Sequence, residues 1–138
     1  MTWQVLFHGE FQPEFEELPE DIQDELLARW RVLSQFGPQL GRPNVDTLQG
    51  SKFSNMKELR FQRNGIWRFA FAFDPERNAI VLCGGNKEGE KDFYRKLIAT
   101  ADKRYTAHIA RIRKQQRFKD SQGLSHEEHR PNHPRPAA

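Results

Sequence analysis

The side chains best suited to acid–base and phosphate chemistry sit where this chain otherwise reads as the core of a β-sheet. In NMKELRFQRNGIWRFAFAFD, Asn55 to Asp74, the charges Glu58, Arg60 and Arg68 interrupt a run of aromatic and aliphatic residues. Alternate side chains of a strand point to opposite faces, so Trp67, Phe69, Phe71 and Phe73 share one face and Ile66, Arg68, Ala70 and Ala72 the other. In the preceding strand Lys57, Leu59 and Phe61 join the aromatic face, with Lys57 at its rim, leaving Met56, Glu58 and Arg60 opposite. Glu58, Arg60 and Arg68 are therefore expected on one open face beside small alanines, a shallow groove for an extended strand of nucleic acid. The turn GGNKEGEKDFY brings Lys87, Lys91 and Tyr94 to the edge of the same sheet. Cations for phosphate, a carboxylate for proton transfer and a phenol for stacking or acid catalysis would converge there. The competing reading is a cross-strand Glu–Arg pair on a solvated face, contributing roughly 0–1 kcal/mol and carrying no function.

The elements that must position these groups follow from hydrophobic spacing. WQVLFH, Trp3 to His8, reads as a first strand; Phe15, Leu18, Ile22, Leu26, Trp30 and Leu33 then fall three or four apart, a helical hairpin. Pro19 begins its second helix, with Glu20 and Asp21 beside the positive end of the helix dipole, and Gly37-Pro38 ends it. Residues 37–54 read as a loop. Three strands, MKELRFQ, IWRFAFAF and AIVLCGG, are joined by short links typical of antiparallel neighbours, which predicts a meander. Phe93, Leu97, Ala101, Tyr105, Ile109 and Ile112 then form the stripe of a long basic amphipathic helix packed on the sheet, with Lys96, Lys103, Arg104 and Arg111 elsewhere on it. The expected organisation is one α+β domain over 1–117 and a disordered polar tail over 118–138.

Composition bounds the function. With 138 residues, 36% hydrophobic and 30% charged, the chain fits a soluble domain with its own core. Its apolar runs are too short to span a bilayer, and MTWQVLFHGE lacks the features of a signal peptide, so a cytoplasmic protein without membrane partners is expected. Cys83 lies in AIVLC and reads as a buried, unreactive thiol. Residues 1–50 hold 3 basic and 9 acidic side chains, whereas 57–119 hold 16 basic and 7 acidic. The second half thus carries a field that attracts polyanions, nucleic acid first among them, although a solvated basic helix face would give the same count. His126, His129 and His133 are three and four apart but flanked by prolines, which argues against a helical metal site; no metal or cofactor is expected. The acidic cluster from Glu14 to Glu25 reads as a solvated helix face or a surface for a basic partner segment.

The segments KELR, WRFAF and the Gly-Gly turn leading into KDFYRKLI and ADKRY, taken in order, resemble the RelE/ParE toxin superfamily in its HigB-like, often phage-derived branch. The resemblance runs from about Trp3 to Ile112 and implies the RelE-like fold: helical hairpin, antiparallel sheet, C-terminal helix. It further implies the toxin of a type II toxin–antitoxin pair that cleaves messenger RNA in the ribosomal A site, partnered by a helix-turn-helix, HigA-like antitoxin that represses the operon. DNA would then be met only through the antitoxin complex. By position, Arg68 matches the strand arginine that contacts the scissile phosphate, Lys87 or Lys91 a second cation, and Tyr94 the functional tyrosine, with Phe93 leaving that register open by one. Where RelE places a lysine pair this chain has Met56 and Glu58, so the lysine-based mechanism does not transfer and Glu58 is expected as general base.

The mechanism so implied is metal-independent attack of a ribose 2′-OH on its own 3′ phosphate. Glu58 would take the 2′ proton, Arg68 and Arg60 would stabilise the phosphoryl oxygens, and Lys87, Lys91 or Tyr94 would assist the leaving 5′ oxygen. Lys57, Lys87, Lys91 and Arg95 are the expected RNA or phosphate contacts. Rival expectations are a ParE-like toxin that binds DNA gyrase without catalysis and a phage remnant serving as co-repressor.

Overall fold

The computed structural model describes residues 2–129, with side chains to residue 122. The chain divides into two units, Met1–Tyr105 and Thr106–Ala138. In the first, β1 (Gln4–Phe7) leads into α1 (Phe11–Glu16) and α2 (Glu20–Phe36), followed by a 3-10 turn (Gly37–Gln39). The strands β2 (Val45–Thr47), β3 (Met56–Gln62), β4 (Ile66–Phe73) and β5 (Asn78–Asn86) come next, and α3 starts at Phe93. Pro19 stands as the N-cap of α2 ahead of Glu20 and Asp21, and Gly37 closes the helix at φ 58°. That left-handed conformation favours glycine, and a Cβ there would also run into the Trp3 indole.

The five strands lie in the order β1-β5-β4-β3-β2. The expected meander is present as β3, β4 and β5, paired antiparallel with Leu59 opposite Phe69 and Phe69 opposite Gly84. Two features differ from the sequence reading. β1, whose partner the sequence did not indicate, joins β5 in parallel at one edge of the sheet, and α1 and α2 lead from it to β2 at the other edge. β2 occupies part of the segment read as loop: its three residues, with Val45 alone buried, are too few to show an alternating pattern.

The aromatic face carries the main core. Leu59, Phe61, Trp67, Phe69, Phe71 and Val81 pack with Phe11, Phe15, Ile22, Leu26, Trp30 and Leu33 of the helical pair. The other face, expected as an open groove, is covered. Met56, Ala70, Ala72, Ile80 and Cys83 are buried along with Leu97, Ala101 and Tyr105 of α3. Cys83 Sγ lies 3.5 Å from the Leu97 carbonyl, and Asn55 donates to the Tyr105 hydroxyl at 3.0 Å. The small alanines seat a helix instead of a nucleic-acid strand. Arg104, expected away from the packed stripe, donates from Nη1 and Nη2 to the Glu14 carboxylate at 2.9 and 2.6 Å and from Nη1 to the Leu82 carbonyl at 2.7 Å. Part of the acidic cluster is thereby committed to holding α1 against α3. Burial pushes the Cys83 thiol up to about 12, in keeping with an inert core residue.

In the second unit α3 continues to His129, so residues 118–129, expected as a polar tail, are helical. Lys, Arg and Gln are good helix formers, and Gln116 donates to Asp120 one turn on at 3.1 Å. Residues 130–138 of the expected tail, with His133, lie outside the described residues, as do the side chains of His126 and His129.

Candidate active site

Strand pairing sets the geometry of the charged cluster. Glu58 stands opposite Ala70 and Arg60 opposite Arg68 on neighbouring strands, so Glu58 and Arg68 are diagonal neighbours on one face. The first turn of α3 lowers Tyr94 between them. Arg68 Nε donates to the Tyr94 hydroxyl at 3.1 Å, and Tyr94 donates onward to Glu58 Oε1 at 2.8 Å. Arg68 Nε is also 3.8 Å from Glu58 Oε1, and its Nη1 donates to the Trp67 carbonyl at 2.9 Å. Phe93 instead makes an edge contact with the Tyr94 ring, so Tyr94 and not Phe93 reaches Glu58 and Arg68.

Glu58 and Arg68 are buried, only 7% and 8% exposed, where they were expected on an open surface. A solvated ion pair of marginal worth is thereby excluded: two desolvated charges persist only when paired and hydrogen-bonded, as these are. Burial, followed by the hydrogen bond to Glu58, raises the Tyr94 hydroxyl above the usual phenol value, so it carries its proton at neutral pH. No hydrogen bond among the described residues engages Glu58 Oε2, which leaves that oxygen as an acceptor.

Arg68 belongs at the same time to a cleft of about 340 Å³ lined by Arg42, Pro43, Arg60, Phe61, Gln62 and Arg68. Three arginines thus line one small concavity, a residue set suited to phosphate oxygens. Asp46, opposite Glu58 across the β2–β3 pair, lies 3.7 Å from both Arg60 Nη1 and Arg42 Nε. Neither Arg42 nor Asp46 was identified from the sequence. Arg42 stands in a Gly-Pro-rich segment without periodicity, and the signal that could have found it is an arginine just before a short edge strand.

The remaining expected site residues are dispersed. The ammonium of Lys87 lies 5.9 Å from the centroid of the Tyr94 ring, beside the cluster. Lys91 is exposed in the turn before α3, and Arg95 is exposed and paired with Asp92 at 3.1 Å. Lys57 is on the aromatic side of β3, its Nζ donating to Thr47 Oγ1 at 3.4 Å, and so faces away from Glu58. Among the described residues no group of three metal-ligating side chains comes together, and no helix is long and apolar enough to cross a membrane.

Comparison with known proteins adds a family. Residues 13–106 match the family described as phage-derived protein Gp49-like. Mycobacterium tuberculosis (strain ATCC 25618 / H37Rv) has two similar proteins named as toxins. HigB2 is 42% identical over 98 residues, 69% of this chain and 49% of its own. HigB3 is 45% identical over 91 residues, 65% of this chain and 79% of its own. The matched region thus spans about half the length of HigB2. Among solved structures, a doubly substituted Escherichia coli toxin RelE in the free state aligns with a TM-score of 0.57 at 17% identity, covering 75% of this chain and 98% of RelE. The isolated RelE toxin in another crystal form aligns with a TM-score of 0.51 at 14% identity, covering 80% and 98%. At such identities the likeness is one of fold: this chain has the RelE fold.

Proposed function

The chain belongs to the phage-derived Gp49-like family, in the HigB-like branch of the RelE superfamily, and from that premise we propose that it is the toxin of a type II toxin–antitoxin pair, acting as a ribosome-dependent endoribonuclease on messenger RNA. The observation that carries this reading is the Glu58–Tyr94–Arg68 network, buried at Glu58 and Arg68, whose arginine also lines a cleft with Arg42 and Arg60. The cleft would take the scissile phosphate. Arg68, fixed by the Trp67 carbonyl and the Tyr94 hydroxyl, is pre-oriented toward developing charge, the arrangement from which electrostatic catalysis draws most. Arg60, and Arg42 from the loop side, would neutralise the non-bridging oxygens. Glu58, through Oε2, would accept the 2′-OH proton as that oxygen attacks phosphorus. The neutral Tyr94 hydroxyl would donate to the departing 5′ oxygen, with Lys87 beside it; the products are a 2′,3′-cyclic phosphate and a 5′-hydroxyl end. Lys57, Lys91 and Arg95 would serve at most as outlying contacts to the RNA backbone.

The partner in this reading is a helix-turn-helix antitoxin of the HigA type, and the site of action is the cytoplasm, where ribosomes present the message. The test is a reconstituted translation reaction in which messenger RNA 5′ ends are mapped with and without ribosomes. Cuts that need ribosomes, spare sites carrying a 2′-deoxyribose, and fall about a hundredfold or more in Arg68→Ala are expected. Cleavage by Arg68→Ala within tenfold of wild type would remove Arg68 from the mechanism. One observation favours the ParE-like alternative: Glu58 and Arg68 satisfy each other, as a purely structural pair would. No cuts under any condition, with DNA synthesis stopping before translation on induction, would select that reading.

A further inference from the structure

Beyond the matched family span, α3 carries an unusual run. Residues 111–119 hold Arg111, Arg113, Lys114, Arg117 and Lys119 with no acidic residue between them, and all are exposed. None has a carboxylate partner among the described residues. Within the run Phe118 is 64% exposed, the most open of the large hydrophobic side chains among the described residues. A phenyl ring left in water forgoes the gain of burial. Helical spacing explains its company: Arg111, Lys114 and Phe118 are three and seven residues apart and share one face, while Arg113 and Arg117, four apart, form a second basic edge. Cations one and two turns from an exposed aromatic ring are the donor set that holds unpaired nucleic acid, phosphates on the cations and a base on the ring. The bases of a duplex are already stacked on one another and offer the ring no free face, whereas an unpaired strand does.

We propose that the Arg111–Lys114–Phe118 face of α3 is a second binding site, for single-stranded RNA, in which Phe118 stacks on an unpaired base and Arg111 and Lys114 hold the flanking phosphates. The choice of RNA rests on the ribonuclease reading; the single-strand character rests on the exposed ring. The strand has two sources, the message itself and an unpaired stretch of ribosomal RNA.

The test uses the full chain and a short, unstructured, fluorescently labelled 2′-O-methyl oligoribonucleotide, which blocks cleavage and isolates binding. Arg111→Gln/Lys114→Gln is expected to weaken binding about tenfold and to lower the salt dependence of log K by about 1.4, the share of two phosphates on a single strand. Phe118→Ala is expected to weaken it roughly fivefold or more with an unchanged salt slope, and Phe118→Trp to retain it. Co-sedimentation with purified ribosomes forms the second arm. Loss on the oligonucleotide identifies the message as occupant, and loss on ribosomes alone identifies ribosomal RNA; either supports the site. Variants that stay within twofold of wild type in both arms overturn it. So does equal binding of duplex RNA, or loss confined to phosphatidylserine vesicles, which would make the face a membrane contact. The nuclease reading fails on cleavage in the translation reaction, whereas this site fails on binding by the Phe118 and Arg111/Lys114 variants, so the two failures give different results.

Discussion

The two faces of the sheet solve opposite problems. On one, Phe61, Trp67, Phe69 and Phe71 bury rings against α1 and α2, and stability comes from area removed from water and from close packing. On the other, small residues let α3 lie close, and the space near its first turn holds the buried charges Glu58 and Arg68, which burial would expel were they not joined through the Tyr94 hydroxyl. On the aromatic face the polar side chain of Lys57 is only partly buried and donates to Thr47. The charged face gives up packing for a network that is fixed, desolvated and open at one end to a cleft. Fixed dipoles in a place water leaves easily are what a catalytic site requires and what a core avoids.

Substitutions on each face should therefore fail differently. The largest expected effect is Phe69→Ala, a fully buried ring at the centre of the aromatic face: about 3–5 kcal/mol of stability lost in urea unfolding, with activity falling only as the folded fraction falls. Glu58→Gln keeps an acceptor for Tyr94 but removes the charge. It should cut ribosome-dependent cleavage about a hundredfold while costing about 1–3 kcal/mol, the reverse of the Phe69 pattern. Gly84→Ala sharpens the comparison from the backbone side, since a Cβ at that position would run into the Phe69 ring; about 1–3 kcal/mol of destabilisation is expected, again without a specific loss of chemistry.

The smallest effect is read by alkaline titration. Both tyrosines of the chain, Tyr94 and Tyr105, are raised above the ordinary phenol value of 10.0, chiefly by burial. The unfolded chain then loses these protons first as pH rises. Stability is complete below about pH 10, the unfolded phenol value, and declines above it until the folded phenols ionise. Phenolate absorbance should appear at higher pH in the folded protein than in urea, and Tyr94→Phe should leave a single shifted transition, that of Tyr105.

How much of this could be read from the sequence divides along the same line. The alternation from Trp67 to Phe73 states which face is core, and the spacing of Ile22, Leu26, Trp30 and Leu33 states what covers it, because periodicity records burial directly. The charged residues were also visible as a set, and their shared face followed from strand alternation. Their burial was not, since Ala70 and Ala72 suit an open groove and the seat of a helix equally well. Arg104 was misplaced for a related reason: its partner Glu14 is 90 positions upstream, and no local pattern encodes so distant a pair. β2, Arg42 and Asp46 stayed hidden because three strand residues and a loop arginine carry no period. The helical continuation past residue 118 was missed because polar composition was weighed above the helix propensity of Lys, Arg and Gln.

The central claim is that the charged face is built for chemistry and not for stability, and Tyr94→Phe tests it most directly. The substitution keeps the ring and removes one hydroxyl, the atom that joins Arg68 to Glu58. Measured in the reconstituted translation reaction alongside a thermal unfolding curve, the variant should cleave messenger RNA at least about tenfold more slowly than wild type while losing no more than about 1–2 kcal/mol of stability. Cleavage within twofold of wild type, or a loss of cleavage that only tracks unfolding, would contradict the account and return Glu58, Tyr94 and Arg68 to the role of a buried structural network.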